Sequence, residues 1–300
     1  MNFIDLNQQL ISIAMPSYNH SNYISRAINS VLDQTYTNWE LFIIDNNSTD
    51  GTDKVIDKFS DSRIKVIKID NKGSIGVSRN KALELSNGKW LAFIDSDDWW
   101  NKEKLLQCSK LFDNNIDLIY HDMNIYFEIS GNSTEHKIKS RKLKPPVIFD
   151  LIKNGNTIAT SSVIVRTQIL RKINGMSEDP NLIAIGDYHT WLKIAMISDK
   201  FEYLPYSLGT YRVHNHNVSK DFTEIIPTLA FRDFLQNLTP RQRQIVNEKH
   251  AYIKGRTYYK NFDYEKSISE LKNVIKGGST PDIIKSIWML FQIQINKHLK

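Results

Sequence analysis

The chain has 300 residues, 41% hydrophobic and 24% charged, an ordinary balance for a globular protein with a sizeable core. Its one cysteine, Cys108, excludes an internal disulfide and fits a reducing compartment. The net charge of +6 is uneven: residues 225–300 hold 13 Lys/Arg against 6 Asp/Glu, so the excess belongs to the C-terminal quarter.

Met1 to Leu6 shows no basic stretch or long apolar run, so no signal peptide is expected. No run of about 18 apolar residues suggests a spanning helix. Leu10 to Met15 reads as a strand that stops at Pro16. Tyr23, Ala27, Ile28, Val31 and Leu32 then share one helical face. Leu41 to Ile44 is a second apolar strand, closed by Asp45. Val55, Ile56 and Phe59 mark a short helix, and Ile64 to Ile69 a third strand. A helix near Val77 to Leu85 ends before Gly88, and Trp90 to Ile94 runs as a fourth strand straight into Asp95. This alternation predicts an α/β fold with a parallel sheet between helices, in which ligands bind beyond the carboxyl ends of the strands.

A helical pattern from Lys102 to Phe112 carries Cys108, which reads as a small packed residue rather than a nucleophile. Ile116 to Tyr120 and Ile125 to Ile129 look like two strands, and Ser130 to Lys144 like a polar, mobile loop. Ser162 to Val165 reads as a strand, with a helix near Thr167 to Ile173. Asp187 to Ile197 is strongly helical, and Leu208 to Val213 is a last strand. From Ile225 the pattern is helical and rich in Tyr and Lys, with Gly277-Gly278 and Pro281 setting off a last helix, Asp282 to Lys300.

Asp95-Ser96-Asp97-Asp98 puts three carboxylates into four residues at the end of a buried strand. Their repulsion is relieved if a divalent cation binds, and oxygen-rich ligation suits Mg²⁺ or Mn²⁺ together with substrate phosphates. The bland alternative is a solvated turn. Pro16-Ser17-Tyr18-Asn19 and Asp45-Asn46-Asn47-Ser48-Thr49-Asp50 fall on the same sheet edge. Tyr18 suits base stacking, and Asp45 or Asn46 suits a ring N–H. Each loop taken alone is equally well a turn and cap. No Gly-x-x-x-x-Gly-Lys loop is present, which argues against a phosphate-cradling NTPase.

Together these loops resemble glycosyltransferase family 2. The run Ser12 to Asn19, then Ile28 to Tyr36, Trp39 to Thr52, Gly76 to Ala82, Gly88-Lys89-Trp90 and Asp95 to Trp100 follow that family's order and spacing, and the resemblance covers roughly Leu10 to Ser219. It implies a GT-A fold, a Rossmann-like mixed sheet flanked by helices, with inverting transfer from a nucleotide-diphosphate sugar. Pro16, Ser17 and Tyr18 match the nucleoside loop, Asp45 with Asn46 the pair beneath the base, and Arg79 a donor-holding residue. Asp95, with Ser96 beside it, matches the ribose-facing acid, and Asp97 the ligand for Mn²⁺ or Mg²⁺. Asn46 stands where the family usually has a second Asp, which weakens the case for uracil over other bases.

Asp187 aligns with the family's catalytic acid, with Gly186 in place of the acid before it. Its bland reading is a helix cap. An inverting displacement needs a base for the acceptor hydroxyl, and Asp187 is the candidate. In Tyr211 to Ser219, which resembles the segment closing the catalytic domain, His214 is a candidate metal ligand and Arg212 a candidate diphosphate contact. The expected division is a catalytic domain over 1–222 and a basic helical region over 223–300. The expected function is transfer of a hexose or N-acetylhexosamine, from a UDP-sugar foremost, to a glycan or lipid-linked acceptor in bacterial surface-polysaccharide synthesis.

The last helix is apolar, Trp-bearing and cationic at its ends. That pattern suits packing within the protein, a homo-oligomer, or peripheral contact with the inner membrane face from the cytoplasm. Nucleic-acid binding is disfavoured, since no reading motif accompanies the basic residues. A nucleotide-sugar pyrophosphorylase and a non-catalytic relative stand as the alternatives. The first wants a Gly-rich basic signature that Pro16 to His20 lacks, and the second rests only on Gly186 and Asn46.

Overall fold

A computed structural model describes residues 9–112, 115–128, 132–183, 185–215 and 226–298. β1 (Ile11–Ser17), β2 (Trp39–Asp45), β3 (Ile64–Lys68) and β4 (Trp90–Phe93) alternate with α1 (Ile24–Leu32), α2 (Thr52–Ile56) and α3 (Ile75–Leu85). These strands pair in parallel in the order β3-β2-β1-β4. β2 and the body of β1 are buried on both faces, as their near-continuous apolar runs require. β3 lies at the edge and carries Lys65 and Lys68, which discourage further pairing. α1 buries Ile24, Ala27, Ile28 and Val31 against this sheet's core.

β1 does not stop at Pro16. The strand continues to Ser17, with Pro16 opposite Ile44 of β2. Its other neighbour, β4, pairs only as far as Ala14, so the missing N–H at Pro16 removes no ladder bond on that side.

β5 (Trp99–Trp100), α4 (Lys104–Ser109), β6 (Leu118–Phe127), β7 (Asn132–Ile138), α5 (Val147–Asn154), β8 (Ile164–Arg166), α6 (Thr167–Lys172), α7 (Gly186–Ala195) and β9 (Phe201–Val213) follow. The described sheet continues β4-β8-β6-β9-β5, with β7 on β6, and β8 runs antiparallel to both its neighbours. The sheet is therefore mixed, as a GT-A fold requires: its first half is wholly parallel, and in the second only β6 and β9 pair in parallel.

The two strands expected over Ile116–Tyr120 and Ile125–Ile129 are one, β6, and Ile129 lies outside the described residues. The polar interruption is absorbed. His121 Nδ1 meets the Asp122 carbonyl at 2.7 Å, and Asp122 accepts from Ser140 N–H and Tyr203 O–H. Register shifts against β9 accommodate these residues. The loop expected over Ser130–Lys144 contains β7, paired antiparallel with β6. Backbone pairing does not require apolar side chains, so polarity misled there. Likewise β9 begins at Phe201, seven residues before the expected start at Leu208. The strand expected at Ser162 starts at Ile164, after a one-turn 3-10 helix, Thr160–Ser162.

Gly88 permits the close approach of this turn to β1. A Cβ there would stand 2.6 Å from Ser12 N and 2.7 Å from Leu10 O. Its N–H donates to Ser12 Oγ and its carbonyl accepts from Thr167 Oγ1. Gly88→Ala is expected to cost about 1–3 kcal/mol in urea unfolding. An unchanged midpoint would refute this account of the contact.

The chain divides into two compact units, Met1–Val147 with Thr157–Phe222, and Ile148–Asn156 with Thr223–Lys300. The second holds α8 (Ile226–Phe231), α9 (Pro240–Lys260), α10 (Tyr264–Gly277) and α11 (Thr280–His298). A capping box of Thr239 and Gln242, with Pro240 in the first turn, starts α9. Asp263 caps α10. Ala251, Tyr252, Leu271, Val274 and Met289 form this unit's core. Among the described residues no helix is long and apolar enough to cross a membrane.

Candidate active site

Three loops gather at the carboxyl edge of β1, β2 and β4. The first two are laced together: Asn46 N–H donates to Ser17 O, Asn19 N–H to Ser48 Oγ, and His20 N–H to Thr52 Oγ1. Asn19 and Asn47 both take φ of 50°, a left-handed turn conformation that Asn tolerates. Burial works against the Asp50 charge, but hydrogen bonds from Thr52 and Ser21 hold its pKa down at about 2. The loop's shape is therefore fixed across the physiological range.

Tyr18 is 55% exposed on this surface, as a stacking residue must be. Asp45 is fully buried and accepts from both the N–H and the Oγ of Ser48. Asn46 Oδ1 accepts from Asn71 N–H at 2.8 Å. Both members of the pair therefore also build the turn. A cavity of about 70 Å³ adjoins Asp45, lined also by Ile56, Val66 and Lys68. Ser17 Oγ and Arg79 Nε are buried without a hydrogen-bond partner among the described residues.

The acidic loop after β4 is not three equivalent carboxylates. Asp95 pairs with Arg79, which is buried. Asp98 is itself buried, accepting from Ser161 Oγ at 2.6 Å and from the Arg212 backbone N–H at 3.0 Å. Burial, then the charges of Asp97 and Asp95, push the Asp98 carboxyl well above the usual range. Asp98 thus serves as a structural strut that ties the acidic loop to Ser161 and to the Arg212 backbone, rather than as a free carboxylate for a cation. Asp97 Oδ2 instead meets His214 Nε2 at 2.9 Å. Ser96 Oγ meets His20 Nδ1 at 2.7 Å, and burial lowers the pKa of His20.

Asp187 opens α7 and joins the same cluster. Its Oδ2 accepts from Thr160 Oγ1 at 3.2 Å and its Oδ1 from Tyr188 N–H at 2.6 Å. Burial raises its pKa, with Arg79 acting in the opposite sense and Asp95 adding to the rise. Next to Thr160, Ser161 accepts from Asp95 N–H and donates to Asp98, while its carbonyl accepts from Trp100 Nε1 and Lys104 Nζ. Two adjacent hydroxyls thereby tie the acidic loop to Asp187. At Gly186, where the resemblance implies an acid, no described residue beyond its chain neighbours and its own helix backbone comes within 4 Å of where a Cβ would stand.

The family model for glycosyl transferase family 2 matches residues 12–173, more than half of the chain. The chain belongs to this family. It is a glycosyltransferase, and the family assignment sets aside the pyrophosphorylase alternative. An Escherichia coli relative, the UDP-Glc:alpha-D-GlcNAc-diphosphoundecaprenol beta-1,3-glucosyltransferase WfgD, is 38% identical over 82% of this chain and 97% of its own. The structure of S. aureus TarS 1-349 in complex with UDP-GlcNAc superposes with a TM-score of 0.65, at 19% identity, over 89% of this chain and 80% of that one. A mannosyltransferase from Pyrobaculum calidifontis, in complex with GDP-Man and Mn2+, superposes with a TM-score of 0.61, at 15% identity, over 97% of this chain and 80% of that one. These structural likenesses establish the GT-A fold.

The structure brings Arg79, Asp95, Ser96, Asp97, Asp187, Arg212 and His214 of this family 2 enzyme into one connected network. Pro16, Ser17, Tyr18, Asp45 and Asn46 line the neighbouring loops. Sequence reasoning missed His20, Thr160 and Ser161. His20 directly follows the nucleoside loop, a signal that was available; the two hydroxyl residues had none. Ser161→Ala strips a hydrogen bond from buried Asp98 and from Asp95 N–H, at an expected cost of about 1–3 kcal/mol. Chemical unfolding within 0.5 kcal/mol of wild type would remove Ser161 from this role.

Proposed function

We propose that the enzyme transfers a hexose, with inversion, from a UDP-sugar to a hydroxyl of a lipid-linked saccharide in bacterial surface-polysaccharide synthesis. The observation that carries this reading is the tie through Thr160 and Ser161 between the acidic loop and Asp187. The donor and acceptor are those in the name of the E. coli relative, whose resemblance extends over nearly its full length.

Asp97 and His214 would hold a divalent cation. Among the described residues no three His, Cys, Asp or Glu side chains form a complete cage. Mg²⁺ and Mn²⁺ need none, since they bind one or two protein groups and complete their shell with substrate phosphates and water. The 2.9 Å between Asp97 Oδ2 and His214 Nε2 also suits two neighbouring ligands on bonds of about 2.1 Å. A bound cation supplies Lewis-acid stabilisation to the departing diphosphate.

The chain's own residues do the rest. Tyr18 stacks on the base, with Pro16, Ser17, Asp45 and Asn46 shaping its pocket. Arg79 orients Asp95 toward the ribose, with Ser96 beside it, and Arg212 supports the diphosphate. Asp187 takes the acceptor hydroxyl proton as that oxygen bonds to the anomeric carbon and the bond to the diphosphate breaks, its electron pair leaving with the phosphate oxygen. The elevated proton affinity of Asp187 strengthens it as a base once ionised.

The reading is tested by a screen of UDP-, GDP- and dTDP-sugars with Mn²⁺ and a GlcNAc-diphosphate-lipid acceptor. Nucleoside diphosphate release and product anomeric configuration are the readouts. UDP release with an inverted product is expected. A retained configuration, or release from GDP- or dTDP-sugars alone, would overturn it.

α11 supports peripheral membrane contact. Ile284, Ile287, Trp288 and Phe291 are more than half exposed along one face, while Ser286, Met289 and Ile293 are buried on the opposite one. Lys285 flanks the stripe in a region of net positive charge, which complements anionic lipid. Sedimentation with anionic vesicles is expected, weakened by Trp288→Ser with Phe291→Ser. A stable dimer that loses its partner through the same substitutions, without vesicle binding, would assign the stripe to a second copy.

A further inference from the structure

Arg26 projects from the exposed side of α1 beside the acidic loop. Its guanidinium lies 3.4 Å over the Trp99 ring and 5.8 Å from that of Tyr126. Arg212 brings a second guanidinium to 5.3 and 5.6 Å from the same two rings. Trp99 and Tyr126 meet edge to face at 5.5 Å. Strand register produces the grouping: Trp99 is opposite Thr210, Tyr126 is opposite Arg212, and residues two apart on β9 share a face.

The charges here do not balance. Arg212 has Glu128 at 3.5 Å, and that carboxylate also accepts from Tyr23 O–H at 3.3 Å. Arg26 makes no ion pair among the described residues; burial and the neighbouring Arg212 charge both lower its pKa. Two guanidinium groups on one pair of rings, with the 40% exposed Glu128 carboxylate at the margin, make a cationic notch with aromatic walls among the described residues. Aromatic contact satisfies the flat faces of a guanidinium and leaves its N–H edge for an oxyanion.

The notch adjoins the metal locus and shares Arg212 with it, since Arg212 Nε donates to the Asp97 carbonyl. The Arg212 guanidinium is 4.8 Å from the Tyr23 ring, that ring stacks on His214 at 4.7 Å, and His214 meets Asp97. On the reading above the donor diphosphate falls to Asp97, His214 and Arg212, which leaves Arg26 for another anion. We propose that Arg26, with Trp99 and Tyr126, binds a phosphate of the acceptor, the diphosphate that joins the acceptor sugar to its lipid. This rests on the lipid-linked acceptor proposed above. The enzyme would then recognise the linkage as well as the sugar, and the aromatic walls would flank the chain beyond it.

The test compares an alkyl-diphosphate-linked GlcNAc with the matching alkyl glycoside, in uncharged micelles, at saturating UDP-sugar and Mn²⁺. Wild type is expected to favour the diphosphate acceptor by about tenfold or more in kcat/KM, a factor typical of one charge-assisted hydrogen-bond pair. Arg26→Gln should reduce that preference to about twofold, through acceptor KM. Arg26→Lys should fall between, because an ammonium lacks the planar fork. Wild-type turnover of the plain glycoside secures glycosyl transfer whatever the fate of the notch. Equal use of both acceptors by wild type, or an unchanged preference in Arg26→Gln, overturns the phosphate site alone. So does a rise in donor KM instead of acceptor KM, or a preference that emerges only on anionic vesicles. Turnover of neither acceptor overturns both readings.

Discussion

Asp187→Asn is expected to lower kcat by about 10²–10⁴-fold, the range a positioned general base contributes, with little change in donor KM. Asn keeps a carbonyl oxygen for Tyr188 N–H, an amide N–H that can donate to Thr160 Oγ1, and the same outline. It removes only the capacity to accept the acceptor proton. In wild type the rate should rise with pH as Asp187 ionises, and that limb should fall above the ordinary Asp value of 3.8 because burial raises its pKa. The limb should vanish in the variant.

Stability must then move the opposite way. A carboxyl whose folded pKa is raised contributes stability below its unfolded pKa and loses it as pH rises through the folded value. Ionised, buried Asp187 is therefore a liability to the fold at neutral pH. Asp187→Asn should melt no lower than wild type there, and higher if the burial term dominates. Loss of turnover accompanied by a lower melting temperature would point to a cap rather than a base.

Asp97→Ala is expected to abolish the rise in melting temperature produced by UDP-sugar with Mn²⁺, and to cut turnover by more than about 100-fold. Loss of a mere outer partner of a metal site costs about 10–100-fold, so loss of a ligand costs more. The fold loses one partner of buried His214, a cost that relief of repulsion around Asp98 offsets. The charge of Asp97 helps push the Asp98 carboxyl upward, and Arg212 Nε bonds the backbone carbonyl of residue 97, which the substitution keeps. The apo variant should therefore melt close to the wild-type temperature. Retained Mn²⁺ dependence would remove Asp97 from the metal site.

The parallel half of the fold was legible because its strands are apolar throughout and their ends carry the polar loops. Pro16 was misjudged only because sequence does not say which side of a strand has a neighbour. β6 and β7 were illegible for a different reason. The polar groups at His121 and Asp122 find partners in Ser140 and Tyr203, far along the chain, and no local pattern announces that. The carboxylates were found because their spacing is local. Their differing surroundings were not, since the partners of Asp98 and Asp95 are Ser161 and Arg79, distant along the chain. Thr160 and Ser161 are two ordinary hydroxyls until the chain closes around them.

On the roles proposed above, the single short turn at Thr160-Ser161 sets the gap between the acidic loop and Asp187. One hydroxyl of that step holds Asp187 and the next holds the loop that carries Asp97, through Asp95 N–H and Asp98. Surrounding segments that touch the acceptor are then at liberty to drift in sequence without detuning that spacing. A lineage built on this turn can change what it decorates while leaving the bond-making machinery untouched.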